Sequence, residues 1–530
     1  MLGKNIPLFL LGFFMLGGIG KAQNFEIASL GFYSYNDITN DQKLSDIWGY
    51  AANGKEYALV GLWDGFSVLD ITNPLNIVEK TRVSGPSSVW RDIKTWDHYA
   101  YVSHDFVSAS SIETAVGILI VDLNTIDSAT VSYTTFNYSD SMNTVHNIYI
   151  DENGVLYAFG SDYNNGGALM FDLVENEMAP TYLGVYDSTY LHDGFVRGDT
   201  LWGGSINEGE FKVIDVSIKS NPLIIGAYNT PNNFTHNCWP SDDNKYLFTS
   251  DEVFNGSFAA YDISDLSNIE FKSSIQSSFS QLTVPHNTHF YDNFIVNSYY
   301  KDGLQIVDVS RPEKMVEVGR YDSSPNYAGF GFNGAWGAYP YLPSTRVLIS
   351  DMEEGLSVVQ PSYQRASFYE GVVVDITNNQ ALFGADVVLN GDTLATDFNG
   401  KFLFGQRELG LFDVTANFAG YTEYTAQINM VEGQTLLDTI FLEPIGFGLS
   451  ELEKSIVLYP NPAKNELFVA STDIDFIGYA VYNIEGKLIY TDFTGLSNNK
   501  VDISMLSKGV YMLELESVEG VKVNKKFTKL

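Results

Sequence analysis

The segments DGFSVLDI (Asp64–Ile71), VGILIVDL (Val116–Leu123), GGALMFDL (Gly166–Leu173), EGEFKVIDV (Glu208–Val216), NGSFAAYDI (Asn255–Ile263), DGLQIVDV (Asp302–Val309) and EGLSVVQP (Glu354–Pro361) are one pattern written seven times. Each is a hydrophobic run behind a glycine, and the first six close on an aspartate. Roughly 20 residues upstream of each stands a Trp or a His: Trp48, Trp90, His146, His192, His236, His286 and Trp336. A second apolar run lies between the two marks, as in EYALVG (Glu56–Gly61) and KYLFTS (Lys245–Ser250), set off by turn sequences such as NGK at Asn53 and DDNK at Asp242. A fourth run follows, as in LGVYDS (Leu183–Ser188), IGAYNT (Ile225–Thr230) and VGRYDS (Val318–Ser323). Repeats of about 45 residues built from short strands are the mark of propeller blades. Seven copies of four strands predict a seven-bladed β-propeller; six or eight blades stay open, because the second copy carries an insertion around Ser108–Thr114.

The seventh copy ends without its fourth strand, while NFEIASLGFYS (Asn24–Ser34) carries the LGxY text of a fourth strand with no blade of its own. The N-terminal segment is therefore expected to complete the last blade, since an open blade edge would invite aggregation.

Composition agrees with an all-β chain. Of 530 residues, 33 are Tyr, 35 Phe and 46 Gly, and no long helical periodicity is present. A formal charge of −35 excludes nucleic acid as a partner, because phosphates would be repelled. Residues 1–22 read as a secretory signal peptide: one Lys, an apolar run from Ile6 to Ile19, then small residues. No later segment is apolar enough to span a bilayer, and no cysteine follows the signal to carry a lipid. Cys238 is the one cysteine, so an exported chain has no internal disulfide and must be held by core burial.

The repeats IVDL, VIDV and IVDV with their preceding glycines resemble LVIVD repeats, and residues 23–363 resemble the choice-of-anchor B family of bacterial surface proteins. That resemblance implies a secreted propeller and carries over no catalytic residue. Residues 368–444, with GVVVD, GADVVL, TDFNGKFLF and FAGYTEY, resemble the carboxypeptidase regulatory-like domain, which implies a small transthyretin-like β-sandwich serving as a spacer. Residues 455–530 open on VLYPNPAKNELFV (Val457–Val469), contain LSKGVYMLELES (Leu506–Ser517) and close on KVNKKFTKL (Lys522–Leu530). These resemble the C-terminal sorting domain of the type IX secretion system. The resemblance implies the type IX machinery as a partner and a secreted, extracellular or outer-membrane-attached protein. The fold class is thus all-β, a propeller followed by two small sandwiches.

All seven histidines lie in the propeller. His146, His192, His236 and His286 hold one repeat position in four successive copies, three followed by Asn and one by Asp193. Blade symmetry sets such residues at one height around the axis, where neutral imidazoles can gather a transition-metal ion. Trp48, Trp90 and Trp336 stand at the corresponding marks, and a flat ring with an N–H donor is a purely structural alternative there. His289, three residues on, is expected on the opposite strand face. The recurring Asp70, Asp122, Asp172, Asp215, Asp262 and Asp308 read as turn caps rather than calcium ligands. Asp251-Glu252 and the acids at Asp351–Glu354 are weak calcium candidates lacking the spacing of a dedicated loop. No GxSxG, phosphate-cradling glycine loop or HExxH is present.

Two functions follow. The leading expectation is a binding or scaffold module for an extracellular glycan or protein, recognised on the face carrying Trp48, Trp90, Asp193 and Trp336, with Trp63, Trp96 and Trp239 as further aromatics. The rival is a metal-dependent hydrolase using His146, His192, His236 and His286.

Overall fold

A computed structural model describes residues 24–105, 117–128, 130–277, 283–326, 331–445, 456–471, 476–493, 496, 499–518 and 520–530. The expected signal peptide and the insertion around Ser108–Thr114 lie outside the described residues. The chain divides into two compact units, Met1–Tyr363 and Gln364–Leu530.

In the first unit, seven four-stranded antiparallel sheets follow one another as blades. They cover residues 44–84, 93–136, 147–186, 193–229, 235–275 and 288–321, and the seventh joins 335–361 to Ile27–Tyr33. The second and third strands of each blade are buried on both sides by neighbouring blades, which is why they read as unbroken apolar runs. The outermost strand, as in Leu223–Asn229, alternates and is half exposed.

The glycine that opens each third strand has a packing cause. Gly303 has φ +75°, and a Cβ there would run into the carbonyl oxygen of Tyr321 on the fourth strand. Gly355 of the last blade is blocked in the same way by the carbonyl of Tyr33, which belongs to the N-terminal segment.

The N-terminal strand is thus the missing fourth strand. It pairs antiparallel with Gly355–Pro361 from Ile27↔Pro361 to Tyr33↔Leu356. The likeness extends to a defect. In blade 6 the pairing skips one residue, Val318, immediately before Gly319; in the N-terminal strand it skips Leu30, immediately before Gly31. The LGxY text is therefore the record of a β-bulge followed by glycine.

The recurring aspartates behave as turn caps. The Oδ1 of Asp70, Asp122, Asp172, Asp215, Asp262 and Asp308 accepts the backbone N–H two residues on, at 2.8–3.0 Å in every case. These carboxylates are spent on turn geometry.

The second unit holds two sandwiches. One stacks a three-stranded sheet, in which Ser367–Asp375 pairs parallel with Thr435–Leu442, on a four-stranded antiparallel sheet around Tyr369, Val387, Phe404 and Val414. The other packs Val457–Tyr459, Glu466–Ala470 and Lys500–Asp502 against a four-stranded sheet ending in Lys522–Lys529. Its core includes Leu467, Val481, Leu513 and Phe527.

Candidate functional site

The inner strands bring one side chain per blade to each height of the axis, and pairing with the second strand fixes which residues correspond. Ile47 faces Val60, Ile93 faces Val102, Ile148 faces Ala158 and Gly194 faces Gly203. Cys238 faces Thr249, Thr288 faces Asn297 and Ala338 faces Ile349. Two residues before these positions stand Ser45, Arg91, His146, His192, His236, His286 and Trp336. The four histidines and Trp336 do share one level. His236 and Trp336 sit on β-bulges, the pairing skipping each of them, and a bulge re-aims a side chain.

Two expectations need correcting. Trp48 is not equivalent to the histidines: it stands one residue after Ile47 and belongs to the level of Lys94, Tyr149, Phe195, Trp239, His289 and Tyr339. There it packs against Tyr339 at 4.8 Å between ring centroids, with the Lys94 ammonium over its face at 4.5 Å. Trp90 falls one residue short of the shared position, which Arg91 holds, although its ring still reaches the site. A mark counted in residues tolerates such slips; a hydrogen-bonded register does not. Trp239 and His289, with ring centroids 4.5 Å apart and planes tilted, are buried in the same lower layer, so Trp239 is no surface platform.

The histidines form an arc. Ring centroids lie 4.1 Å apart for His146 and His192, 4.5 Å for His192 and His236, and 4.5 Å for His236 and His286; Trp336 closes the end at 4.4 Å from His286. They line a cavity of about 50 Å³ together with Trp90, Asn147, Asp193, Glu252, Asn287, Tyr300 and Trp336.

Outer partners orient the rings. His146 Nδ1 donates to Asp105 Oδ2 at 2.8 Å, His286 Nδ1 donates to the Trp336 carbonyl, and His192 Nδ1 lies 3.4 Å from the Tyr190 hydroxyl. A proton held on Nδ1 leaves the Nε2 lone pair free to face inward, the tautomer a metal ligand needs. The Nε2 atoms of His146 and His192 are 3.1 Å apart. Burial pushes the imidazoles of His192 and His236 well below their usual range and that of His286 down to about 3, so these rings are neutral.

Glu252 is the residue that repeat counting missed. It follows the second strand of blade 5, away from the repeat position, so no periodicity marks it. Its Oε2 lies 3.6 Å from His236 Nε2, its Oε1 lies 3.8 Å from His286 Nε2, and the Tyr300 hydroxyl donates to Oε1 at 2.7 Å. Burial raises its carboxyl to about 7. His192, His236 and Glu252 present ligand atoms all within 4.8 Å of one another.

Of the acids singled out as weak calcium candidates, Glu252 joins the histidine cluster, whereas Asp251 and Asp351 are otherwise engaged. Asp251 accepts from the Thr230 hydroxyl and from the N–H groups of Asn232 and Phe234. Asp351 accepts from Ser323 and Ser324 and from the N–H groups of Glu353 and Glu354. Asp193 lies in the cavity wall and accepts from Asn237 Nδ2 at 3.0 Å. Cys238 is buried, and burial pushes its thiol well up, leaving it no nucleophile.

Fold and site together define a β-propeller with a histidine–carboxylate cluster on its axis. Comparison with known families adds two matches. The LVIVD repeat matches residues 51–84, 206–230 and 298–323, and the secretion system C-terminal sorting domain matches residues 457–529. The chain therefore carries LVIVD repeats and a sorting domain of the type IX kind, which implies export to the outside or to the cell surface. No curated protein matches it. Among solved structures it is similar to the β-propeller domain of Cps50 (Swd1) from Myceliophteria thermophila, at 12% identity and TM-score 0.42, covering 62% of this chain and 98% of that one. Among the described residues no helix is long and apolar enough to cross a membrane.

Proposed function

We propose that the protein is an extracellular metalloenzyme whose propeller axis holds one transition-metal ion and uses it for hydrolysis. The observation that carries this is the inward convergence of His146, His192, His236 and His286 with Glu252 beside them. Two imidazole nitrogens 3.1 Å apart match two ligands of one ion at metal–nitrogen distances of about 2.0–2.1 Å and an angle of roughly 100°. An imidazole-rich donor set favours zinc, copper, iron or nickel over calcium, which takes oxygen. Neutral histidines leave the ion most of its charge, and such an ion lowers the pKa of a bound water. Glu252, whose Oε1 accepts from the Tyr300 hydroxyl, is placed beside the ligand nitrogens to hold or move a proton at its Oε2.

The binding-module reading keeps one observation in its favour. An N–H···N bond can join His146 to His192 at 3.1 Å with no ion present. Metal analysis by mass spectrometry, beside a His192→Ala/His236→Ala variant, separates the two. About one transition metal per chain, lost in the variant, supports the centre and justifies a screen of hydrolase substrates. A metal-free protein whose variant merely melts earlier makes the histidines structural and sinks the enzyme.

On this reading the choice-of-anchor B resemblance of residues 23–363 describes the catalytic body. The 368–444 sandwich, like a carboxypeptidase regulatory-like domain, is a spacer, and the tail is the part handled by the secretion machinery, with release or surface attachment after it.

A further inference from the structure

We infer that the molecule acted on at this site is a neutral, ring-bearing organic compound that lies across an aromatic mouth made by Phe254, Phe332 and Trp90, sending only a small group inward; this rests on the metal-centre reading above.

The size of the site sets the first constraint. A cavity of about 50 Å³ has room for an ion and very few further atoms, since one water takes about 30 Å³ of liquid volume. The bulk of any organic substrate must therefore remain outside, on whatever surrounds the cavity.

Among the described residues, aromatic rings lead away from it. Phe254 is 48% exposed and Phe332 44%, with their rings edge to face at 6.0 Å. Phe332 packs edge to face on Tyr300 at 5.4 Å, and Tyr300 lies 5.0 Å from His286 and lines the cavity. A continuous run of rings thus leads from solvent to one end of the histidine arc. At the other end Trp90, 37% exposed, lines the cavity and lies 6.2 Å from His146. Exposed rings clustered on a cavity rim mark a place where apolar surface is covered by something else, and rings recognise rings through offset or edge-to-face contact.

Charge and hydrogen bonding narrow the class. Phenylalanine offers no donor, so Phe254 and Phe332 suit an apolar ring better than a hydroxyl-rich glycan. A chain of charge −35, with Glu252 and Asp105 beside the histidines, repels anions. A divalent ion held there by imidazole nitrogens and one carboxylate would leave a net positive charge inside the cavity, which would disfavour a cationic group being sent inward. A neutral molecule satisfies both.

The test uses the full exported chain and the neutral fluorophore N-phenyl-1-naphthylamine. Saturable binding is expected, weakened at least tenfold in Phe254→Ala/Phe332→Ala and several-fold in Trp90→Ala, with metal content unchanged. The His192→Ala/His236→Ala variant is expected to lose metal and keep the fluorophore. Because both phenylalanine rings are about half exposed, their truncation should leave the melting curve intact; Phe332→Glu, which keeps bulk but adds charge, gives a second route to the same loss. The inference is overturned if the wild-type chain shows no saturable binding, if the double phenylalanine variant binds as the wild type does, or if cellohexaose displaces the fluorophore. A metal-free wild type that still loses the fluorophore in the phenylalanine variant would remove the metal centre and leave the aromatic mouth standing.

Discussion

His146 and His192, neighbours on the arc around the propeller axis, hold their Nε2 atoms 3.1 Å apart, and the opposite nitrogen of His146 is tied to Asp105 at 2.8 Å. The carboxylate fixes which nitrogen carries the proton and so which one is free to ligate. Asp105→Ala should lower metal affinity by about 10–100-fold without unfolding the blade, the usual size of an outer-partner effect. Competition against a chelator of known affinity reads it, and an unchanged affinity would count against His146 as a ligand.

Glu252 separates a role in ligation from a role in stability. It is half-buried, and desolvation raises its carboxyl, so removing its charge relieves the metal-free protein. Glu252→Gln should leave the metal-free melting temperature equal or higher and weaken metal binding by tenfold or more. A variant that destabilises both forms equally would make Glu252 a packing residue.

The blades were legible in sequence because their signals are local. A glycine forced by the approach of the fourth strand, an aspartate that caps its own turn and a bulge written as LGxY each occupy fixed places in the text. The axial level was harder to read. His146, His192, His236 and His286 stood out by spacing, but Trp48 entered the set although it lies three residues beyond Ser45, the residue blade 1 supplies at that level. Glu252 could not be found by counting, since it reaches the axis from the end of a different strand. His289 likewise turned out to be axial, one layer below His286, because inner strands of a twisted blade present several residues to the axis.

Beneath the histidines, Lys94 neutralises a buried acidic ring. Its ammonium bonds both oxygens of Asp92 at 2.9–3.0 Å and lies 3.9 Å from Asp46. Those carboxylates in turn accept the N–H of the next blade's inner strand, Asp46 from Ile93 and Asp92 from Ile148. Lys94→Met should cost about 3–5 kcal/mol at neutral pH, the loss expected when one partner of a buried ion pair is removed. Burial, then the neighbouring Asp92, hold the Asp46 carboxyl well above the carboxylate range. The folded state therefore keeps a proton that the unfolded chain has already released, and Asp46 contributes stability that grows as pH falls through its folded pKa towards about 4. Losing the cation strengthens that proton uptake, so the deficit of the variant should shrink between pH 8 and pH 5 in denaturant titrations. A deficit independent of pH would show that Lys94 acts by packing on Trp48 alone.

Ring closure depends on the N-terminal strand. Ile27–Tyr33 supplies the outer strand of the final blade, and the segment is anchored further by Phe25, whose N–H and carbonyl pair with those of Arg320 in the preceding blade at 3.1 and 3.0 Å. Tyr35, 1% exposed, joins the apolar cluster of Leu356 and Val358. Deleting residues 24–35 removes a whole strand ladder, empties the Tyr35 site at a cost of about 3–5 kcal/mol by itself, and bares Gly355–Pro361 as an unpaired edge. The truncated propeller should melt well below the intact one and aggregate. A milder change isolates the closure from the lost core. Gly31→Val would drive a branched side chain into the carbonyl of Pro74 and break the bulge while leaving Tyr35 in place. It should lower the melting temperature by less than the deletion, and a synthetic 24–35 peptide added to the truncated chain should restore part of the loss. Unchanged melting of the deletion variant would mean that blades 1 and 7 hold the ring by their inner strands alone, where Gly337 lies against Asp46 and Ile47.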